Sequence, residues 1–207
     1  MRRGGGGWTG ERVRLRGIEP DDWGAFQRFA AEEARSGDLP RPPGSAEGYR
    51  AWAKEQAVAA RDGDHVQLVI EAVETGEAVG ALAVHHADPQ AGRFEYGVTS
   101  GADHRGRGYA AEAVVMLLRF MFAERRYNKC EARVFAHNEL SLTLHRRLGF
   151  TEEGRLRQHV FLDGRYRDLI VMGLLADEFY DGNDSSKRAG SPRDATPSWP
   201  VASAQVS

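Results

Sequence analysis

The sequence has 207 residues, 41% of them hydrophobic and 28% charged, with a formal net charge of -2; this suits one domain with a real core and leaves no room for two large ones. The charge balance excludes a general electrostatic pull toward nucleic acid, and the single cysteine, Cys130, excludes an intrachain disulfide and points to a reducing compartment. No apolar run approaches the roughly 20 residues of a membrane span, and no hydrophobic segment follows the glycine-rich start. A cytoplasmic chain with no nucleic-acid or membrane partner is expected, as a monomer or homodimer.

Met1 to Gly10 contains four consecutive glycines and is expected to be flexible. Val13 to Arg16 alternates apolar and basic residues like a half-buried strand. Pro20-Asp21-Asp22 signals a helix start, and Trp23, Phe26, Phe29 or Ala30, and Ala34 then recur at helical spacing. A proline-rich loop from Ser36 to Gly44 follows, after which Ser45 can cap a second helix presenting Tyr49, Trp52, Ala53, Gln56 and Ala60 on one side. Trp23, Tyr49 and Trp52 suit either core packing or the wall of a substrate groove.

Val66 to Val73 and Ala78 to His85 are β-rich and flank Glu74-Thr75-Gly76-Glu77, a hairpin signature. Arg93 to Val98 predicts a fourth strand, Ala110 to Arg126 a helix apolar on nearly every side, and Cys130 to Ala136 a fifth strand in which Cys130 is a packed residue rather than a reactive thiol. Asn138 to Leu148 predicts a short helix closed by Gly149 and anchored by Phe150. Leu156 to Leu162 and Tyr166 to Leu175 flank Asp163-Gly164, a two-residue hairpin turn. From Asp181 to Ser207 hydrophobic residues thin out, which predicts a disordered tail after a domain spanning 11–180.

The stretch Val98 to Ala110 carries the chemistry. Gly106 and Gly108 let backbone N–H groups approach a ligand as the long helix opens, and Arg105 and Arg107 add charge to the helix's positive end, so a pyrophosphate is well matched here. Gly106-x-Gly108-x-x-Ala111, with Glu131 further on, also satisfies a loosened dinucleotide fingerprint, which makes a nicotinamide-dependent oxidoreductase the competing reading. Against it, Thr99 to Arg105 separate the strand from the first glycine, and hairpins rather than parallel crossovers precede it.

The element order, with Arg-x-x-Gly-x-Ala at Arg105 to Ala110, resembles the GCN5-related N-acetyltransferases over Glu11 to Tyr180. Within that superfamily it resembles the branch of ribosomal-protein alanine N-acetyltransferases. The matching stretches are Val13-Arg14-Leu15-Arg16 with Glu19-Pro20-Asp21-Asp22, Arg105 to Ala113, Asn138-Glu139-Leu140-Ser141 running to Leu148-Gly149-Phe150, and Asp163 to Asp168. The resemblance implies an α+β fold, a single domain with a mixed, mostly antiparallel twisted sheet of about seven strands and helices on both faces. It also implies acetyl-CoA as co-substrate and a primary amine as acceptor, either a protein N-terminal α-amine or a small molecule, acetylated by direct attack. A catalytically inactive acyl-CoA-binding module would present the same cradle.

By position, the resemblance places the pyrophosphate on Gly106, Arg107, Gly108, Tyr109 and Ala110 beside Arg105, and the pantetheine arm along the strand ending near Ser100. The Val98 N–H would face the thioester oxygen as an oxyanion donor. Asn138 matches an asparagine that holds the pantetheine arm, although an N-cap explains it equally. Glu95 is the candidate general base, or else a surface carboxylate; it shares a strand face with Gly97 and Thr99 rather than Val98, so a bulge at Gly97 would be needed to re-aim it. Many relatives carry a tyrosine where this chain has His145, so the thiolate's proton donor is either Ser141, one helical turn earlier, or His145, whose other reading is a packed neutral imidazole. No histidine, His85 and His86 included, shows metal-ligand spacing, so no metal is expected. The first two helices and the segment Arg155 to Arg167 are expected to shape the acceptor site, and the basic cluster Arg155, Arg157, Arg165 and Arg167 would disfavour a polycation.

Overall fold

The computed structural model describes residues 7–36, 42–59 and 63–183. Of the expected tail, 181–207, residues 184 onward lie outside them, as do the first six residues of the glycine-rich start, whereas 181–183 are described and helical. Seven strands form one sheet in the order β1-β2-β3-β4-β5-β7-β6, where β1 is Val13–Arg16, β2 Gln67–Ala72, β3 Ala78–Asp88, β4 Arg93–Ser100, β5 Lys129–Phe135, β6 Thr151–Leu162 and β7 Arg165–Leu175. All neighbouring pairs are antiparallel except β4 with β5. A dinucleotide-binding sheet needs successive parallel crossovers, so this topology removes the oxidoreductase alternative.

The alternation of each strand divides the core in two. On one face Val13, Leu15, Leu68, Ile70, Leu82, Val84, Phe94 and Tyr96 pack against Ala113, Val114, Leu117 and Leu118 of α3, Tyr109–Arg119. On the other, Val69 meets Ile18, Ala53, Trp23, Phe26 and Trp52, contributed largely by α1 (Trp23–Ser36) and α2 (Ala46–Val58). A single 3-10 turn, Pro20–Asp22, leads into α1, with the Glu19 N–H donating to Asp22 Oδ2 at 2.7 Å. Ser45 caps α2 by accepting the Gly48 N–H at 3.0 Å.

Three features differ from the sequence expectation. Trp8 to Gly10 is not loose: the Leu15 N–H donates to Trp8 O at 2.8 Å, and the Trp8 ring packs on Phe120 with centroids 4.8 Å apart. The long helix changes pitch, continuing from α3 as a π-helical turn over Phe120–Glu124. A last helix, α5 (Ala176–Asn183), follows β7 and buries Phe179 against Phe122; its polar run, Asp-Glu-Phe-Tyr-Asp, concealed the one aromatic anchor.

Candidate active site

The site begins where the sheet parts. Strand β4 pairs with β5 only through Arg93↔Lys129, Phe94↔Cys130 and Glu95↔Glu131. On its other edge β4 pairs with β3 in an unbroken register from His85↔Glu95 to Gly80↔Ser100, and the Gly101 N–H continues it by donating to Val79 O at 3.0 Å. In an antiparallel ladder alternate residues turn both backbone groups to the same neighbour. Thr99, Gly97 and Glu95 therefore bond β3, while Val98 and Ser100 aim their N–H and C=O groups into the space β5 has left. Gly80 holds the two strands this close, because a Cβ there would strike the Thr99 carbonyl.

The regular register also means that Gly97 marks no bulge. The side chains of Glu95 and Thr99 lie on the α1–α2 face, toward which Gly97 presents only its Cα, and the Val98 N–H lies in the plane of the sheet, where it is open to a group approaching along the gap. A carboxylate on one face and a donor in the plane are compatible without re-aiming.

At the end of the gap, Gly106 and Gly108 adopt φ 76° and 81°, the left-handed region that favours glycine. Gly108 is the N-cap of α3 and makes no side-chain cap, so the helix's first N–H groups stay directed outward. A Cβ on Gly106 would meet open space, whereas one on Gly108 would stand 2.9 Å from Arg12 Nη1. Arg12 thus brings a third guanidinium to a cradle already flanked by Arg105 and Arg107, neither of which forms an ion pair among the described residues. The glycine spacing pointed to the cradle, but nothing in the sequence pointed to Arg12. Its placement comes from Glu112 in the first turn of α3, whose carboxylate accepts the backbone N–H groups of Glu11 and Arg12.

A cavity of about 670 Å³ opens on the opposite side of Val98, lined by α1, α2, β3 and β4. Phe26, Phe29, Tyr49 and Trp52 supply apolar walls, and Ala81, Ala83, Gly97 and Thr99 the floor. Glu33 is its acidic lining residue and accepts the Thr99 hydroxyl; among the described residues no Lys or Arg lines it. Trp52 and Tyr49 therefore serve the groove, whereas Trp23 packs in the core beneath the Arg50 guanidinium, 4.2 Å from its ring centroid. No described residue of the β6–β7 hairpin lines the cavity. Arg155 is instead engaged with Asp168 and Glu152 at the far edge of the sheet, and none of Arg155, Arg157, Arg165 and Arg167 lines the cavity.

Glu95 is not among the lining residues. Its carboxylate lies 3.2 Å from Arg133 Nε and 3.4 Å from His86 Nδ1. His85, which the sequence reading set aside, does line the cavity, and partial burial lowers its pKa below the ordinary 6.5, with Glu95 pulling upward and His86 and His65 downward.

On the side of α4, Glu139–Arg147, Asn138 Oδ1 accepts the Ser141 N–H at 3.0 Å, so the N-cap role is in place. His145 is buried, and burial lowers its pKa, opposed by a hydrogen bond to Ser141 O. That carbonyl, 2.7 Å from Nδ1, can only accept, so Nδ1 carries the proton, and Nε2 accepts the Tyr96 hydroxyl at 2.9 Å. Both ring nitrogens are committed, which matches the packed neutral imidazole. The Ser141 hydroxyl, 3.4 Å from His145 Nδ1, is the less constrained of the two candidate donors.

The comparisons with known proteins agree with this geometry. Residues 12–151 match the family model of the acetyltransferase (GNAT) domain. Over 173 residues the chain is 36% identical to the SPbeta prophage-derived N-acetyltransferase YokL of Bacillus subtilis strain 168, covering 83% of this chain and 94% of that one. Over 86 residues it is 29% identical to the ribosomal protein uS5 alanine N-acetyltransferase of Escherichia coli K12, covering 42% and 44% respectively. Among solved structures, a spermidine N-acetyltransferase from Vibrio cholerae with CoA and spermine superposes with a TM-score of 0.70 at 21% identity, over 81% of this chain and 98% of that chain. An acetyltransferase of the GNAT family from Bacillus anthracis also gives 0.70, at 19% identity over 82% and 98%. A fold with β4 and β5 parted above a glycine cradle, matched by a family model over most of its length, assigns the chain to the GNAT acetyltransferases, enzymes that move an acetyl group from acetyl-CoA to an amine.

Proposed function

We propose that the acceptor is a single primary ammonium carried beside an apolar group, such as a protein N-terminal α-amine or an arylalkylamine. The observation that carries this reading is the Glu33 carboxylate, the acidic residue of a largely apolar and aromatic cavity that opens onto Gly97, Val98 and Thr99. One carboxylate balances one ammonium, and an aromatic wall accommodates the substituent while keeping water out. The spermidine N(1)-acetyltransferase of Vibrio cholerae, 27% identical over 90 residues, is named for a longer cation, whose further charges would find no second carboxylate among the described lining residues here.

The donor fits the other side of the gap. Acetyl-CoA supplies an activated thioester. Backbone N–H groups of Gly106 to Ala110, with Arg105, Arg107 and Arg12, hold its pyrophosphate, and Asn138 with the backbone at Val98 and Ser100 steadies the arm. The Val98 N–H polarises the thioester oxygen, an effect worth about 10²-fold where water is excluded. Ser141 donates to the departing sulfur.

The test is an amine panel followed by free-thiol release, containing peptides with free N-termini, phenylethylamine and spermidine. Turnover is expected with a single-charge amine, and Glu33→Gln is expected to raise its KM by about 10-fold or more, the loss of one charge-assisted hydrogen bond. Gly108→Trp should abolish CoA binding by calorimetry. Turnover of spermidine alone, or an unchanged KM in Glu33→Gln, would overturn the proposed acceptor class.

A further inference from the structure

We infer that His85 is the catalytic base of this enzyme, taking the proton from the ammonium held in the cavity; the inference rests on that cavity being the acceptor site. His85 projects from β3 onto the cavity floor, and its Nε2 stands 3.3 Å from where a Cβ would lie on Gly97. The ring is therefore laid against the backbone immediately before Val98, the donor that faces the thioester oxygen. A glycine at 97 leaves the room this approach requires.

The other carboxylates near the reaction are already employed. Glu95, the cross-strand partner of His85, is drawn toward Arg133 on β5 and His86 on β3. Glu33, on α1, holds the Thr99 hydroxyl and faces the ammonium as its counter-charge. The groups bearing on His85 are thus Glu95 from β4, with Arg133 behind it, His86 along its own strand, His65 from the approach to β2, and Glu33 and Tyr49 across the cavity. Partial burial draws the pKa of this solvent-accessible imidazole below 6.5, so it is mostly neutral at pH 7; its Nδ1–H form carries a lone pair on Nε2, and Glu95 stabilises the imidazolium formed on protonation.

The proton count closes. One N–H proton of the ammonium passes to Nε2, and the freed electron pair forms the C–N bond to the acetyl carbon. The C–S bond breaks with its electrons on sulfur. A second N–H proton, shed as the amide forms, reaches the thiolate through the Ser141 hydroxyl, and His85 returns its proton to solvent at the cavity mouth.

The test combines kinetics with a titration of the imidazole. His85→Gln is expected to lower kcat by about 10²-fold with the KM for amine and the calorimetric Kd for CoA within twofold of wild type, whereas Glu33→Gln moves KM. The acid limb of the wild-type kcat/KM profile, which reports the free enzyme, should fall below pH 6.5 and be absent in His85→Gln. By NMR, the His85 imidazole of the free protein should titrate at that same midpoint, and Glu95→Gln should shift both the limb and the midpoint to lower pH, since Glu95 raises the His85 pKa. A kcat for His85→Gln within threefold of wild type, or an acid limb that survives the substitution, would overturn the inference. If Glu33→Gln raises KM while His85→Gln leaves kcat untouched, only the proton role fails; if Glu33→Gln changes nothing, the acceptor site itself is wrong.

Discussion

His145 occupies a position where the chemistry of relatives suggested an acid and where packing has produced a strut. Its Nδ1–H donates to Ser141 O and its Nε2 accepts from Tyr96, tying α4 to β4 across the core. Because burial lowers its pKa in the fold, the unfolded chain binds a proton first as the pH drops. The stability contributed by His145 is therefore complete above pH 6.5 and is lost below it, by up to about 1.4 kcal/mol per pH unit while the folded imidazole stays neutral. Thermal unfolding should show a melting temperature level between pH 7 and 8 and falling from 6.5 downward. The fall should be shallower in His145→Gln; an equal slope in the variant would remove this role. The sequence showed His145 and Ser141 on one helical face, but not that Tyr96 would reach across from β4, because that contact joins two elements that are distant in the chain. Asn138, by contrast, was legible as a cap, since capping is a local matter of one side chain and the N–H three residues on. His85 was invisible as a site residue for the same reason Arg12 was: its importance lies in what a neighbouring strand or helix brings to it.

At the scale of elements, the strands and their hairpins were the most legible part. Asp163 and Gly164 take φ 50° and 74°, the pair of positive values that a two-residue turn requires, and their side-chain types announced it. The π-helical turn after α3 was hidden because Phe120, Met121 and Phe122 extend an apolar pattern that is equally good for an α-helix. It is held instead by a distant residue: the buried Asp64, ahead of β2, accepts from both Arg125 Nε and the Tyr127 hydroxyl. Burial and that carboxylate together push the Tyr127 phenol well above its usual range. Asp64→Asn keeps the shape but surrenders the charge, and it should cost about 2 kcal/mol, read as a lower urea midpoint with an unchanged slope; an unchanged midpoint would show the clamp to be idle. The Glu112 tether works similarly, making the entry of β1 and the start of α3 one unit although about 100 residues of chain separate them.

Taken whole, the molecule sets the glycine cradle and the aromatic cavity, proposed for donor and acceptor, about one parted sheet. The cradle, Arg12 and α4 frame the gap where β4 leaves β5, while α1 and α2 enclose the aromatic cavity with Glu33 and His85. The family resemblance made the donor side readable from motifs, because phosphate binding depends on backbone and so on glycine spacing. The proposed acceptor side depends on side chains drawn from four elements, and none of the arginines expected to guard it lines the cavity. The three pairs that join β4 to β5 have a further consequence. Val98 and Ser100 sit mid-sheet yet have no strand to shield their amides on the open edge, so on the proposed reading the pantetheine arm, with its own amide groups, would act there as a removable eighth strand. Hydrogen–deuterium exchange should find these two amides fast in the free protein and slowed by CoA, with the β3–β4 amides of Gly97 and Thr99 slow in both; equal protection of all four without CoA would disprove it. Each turnover would then splice the two halves of the sheet and part them again, and the lifetime of that splice would join the chemistry in setting the rate.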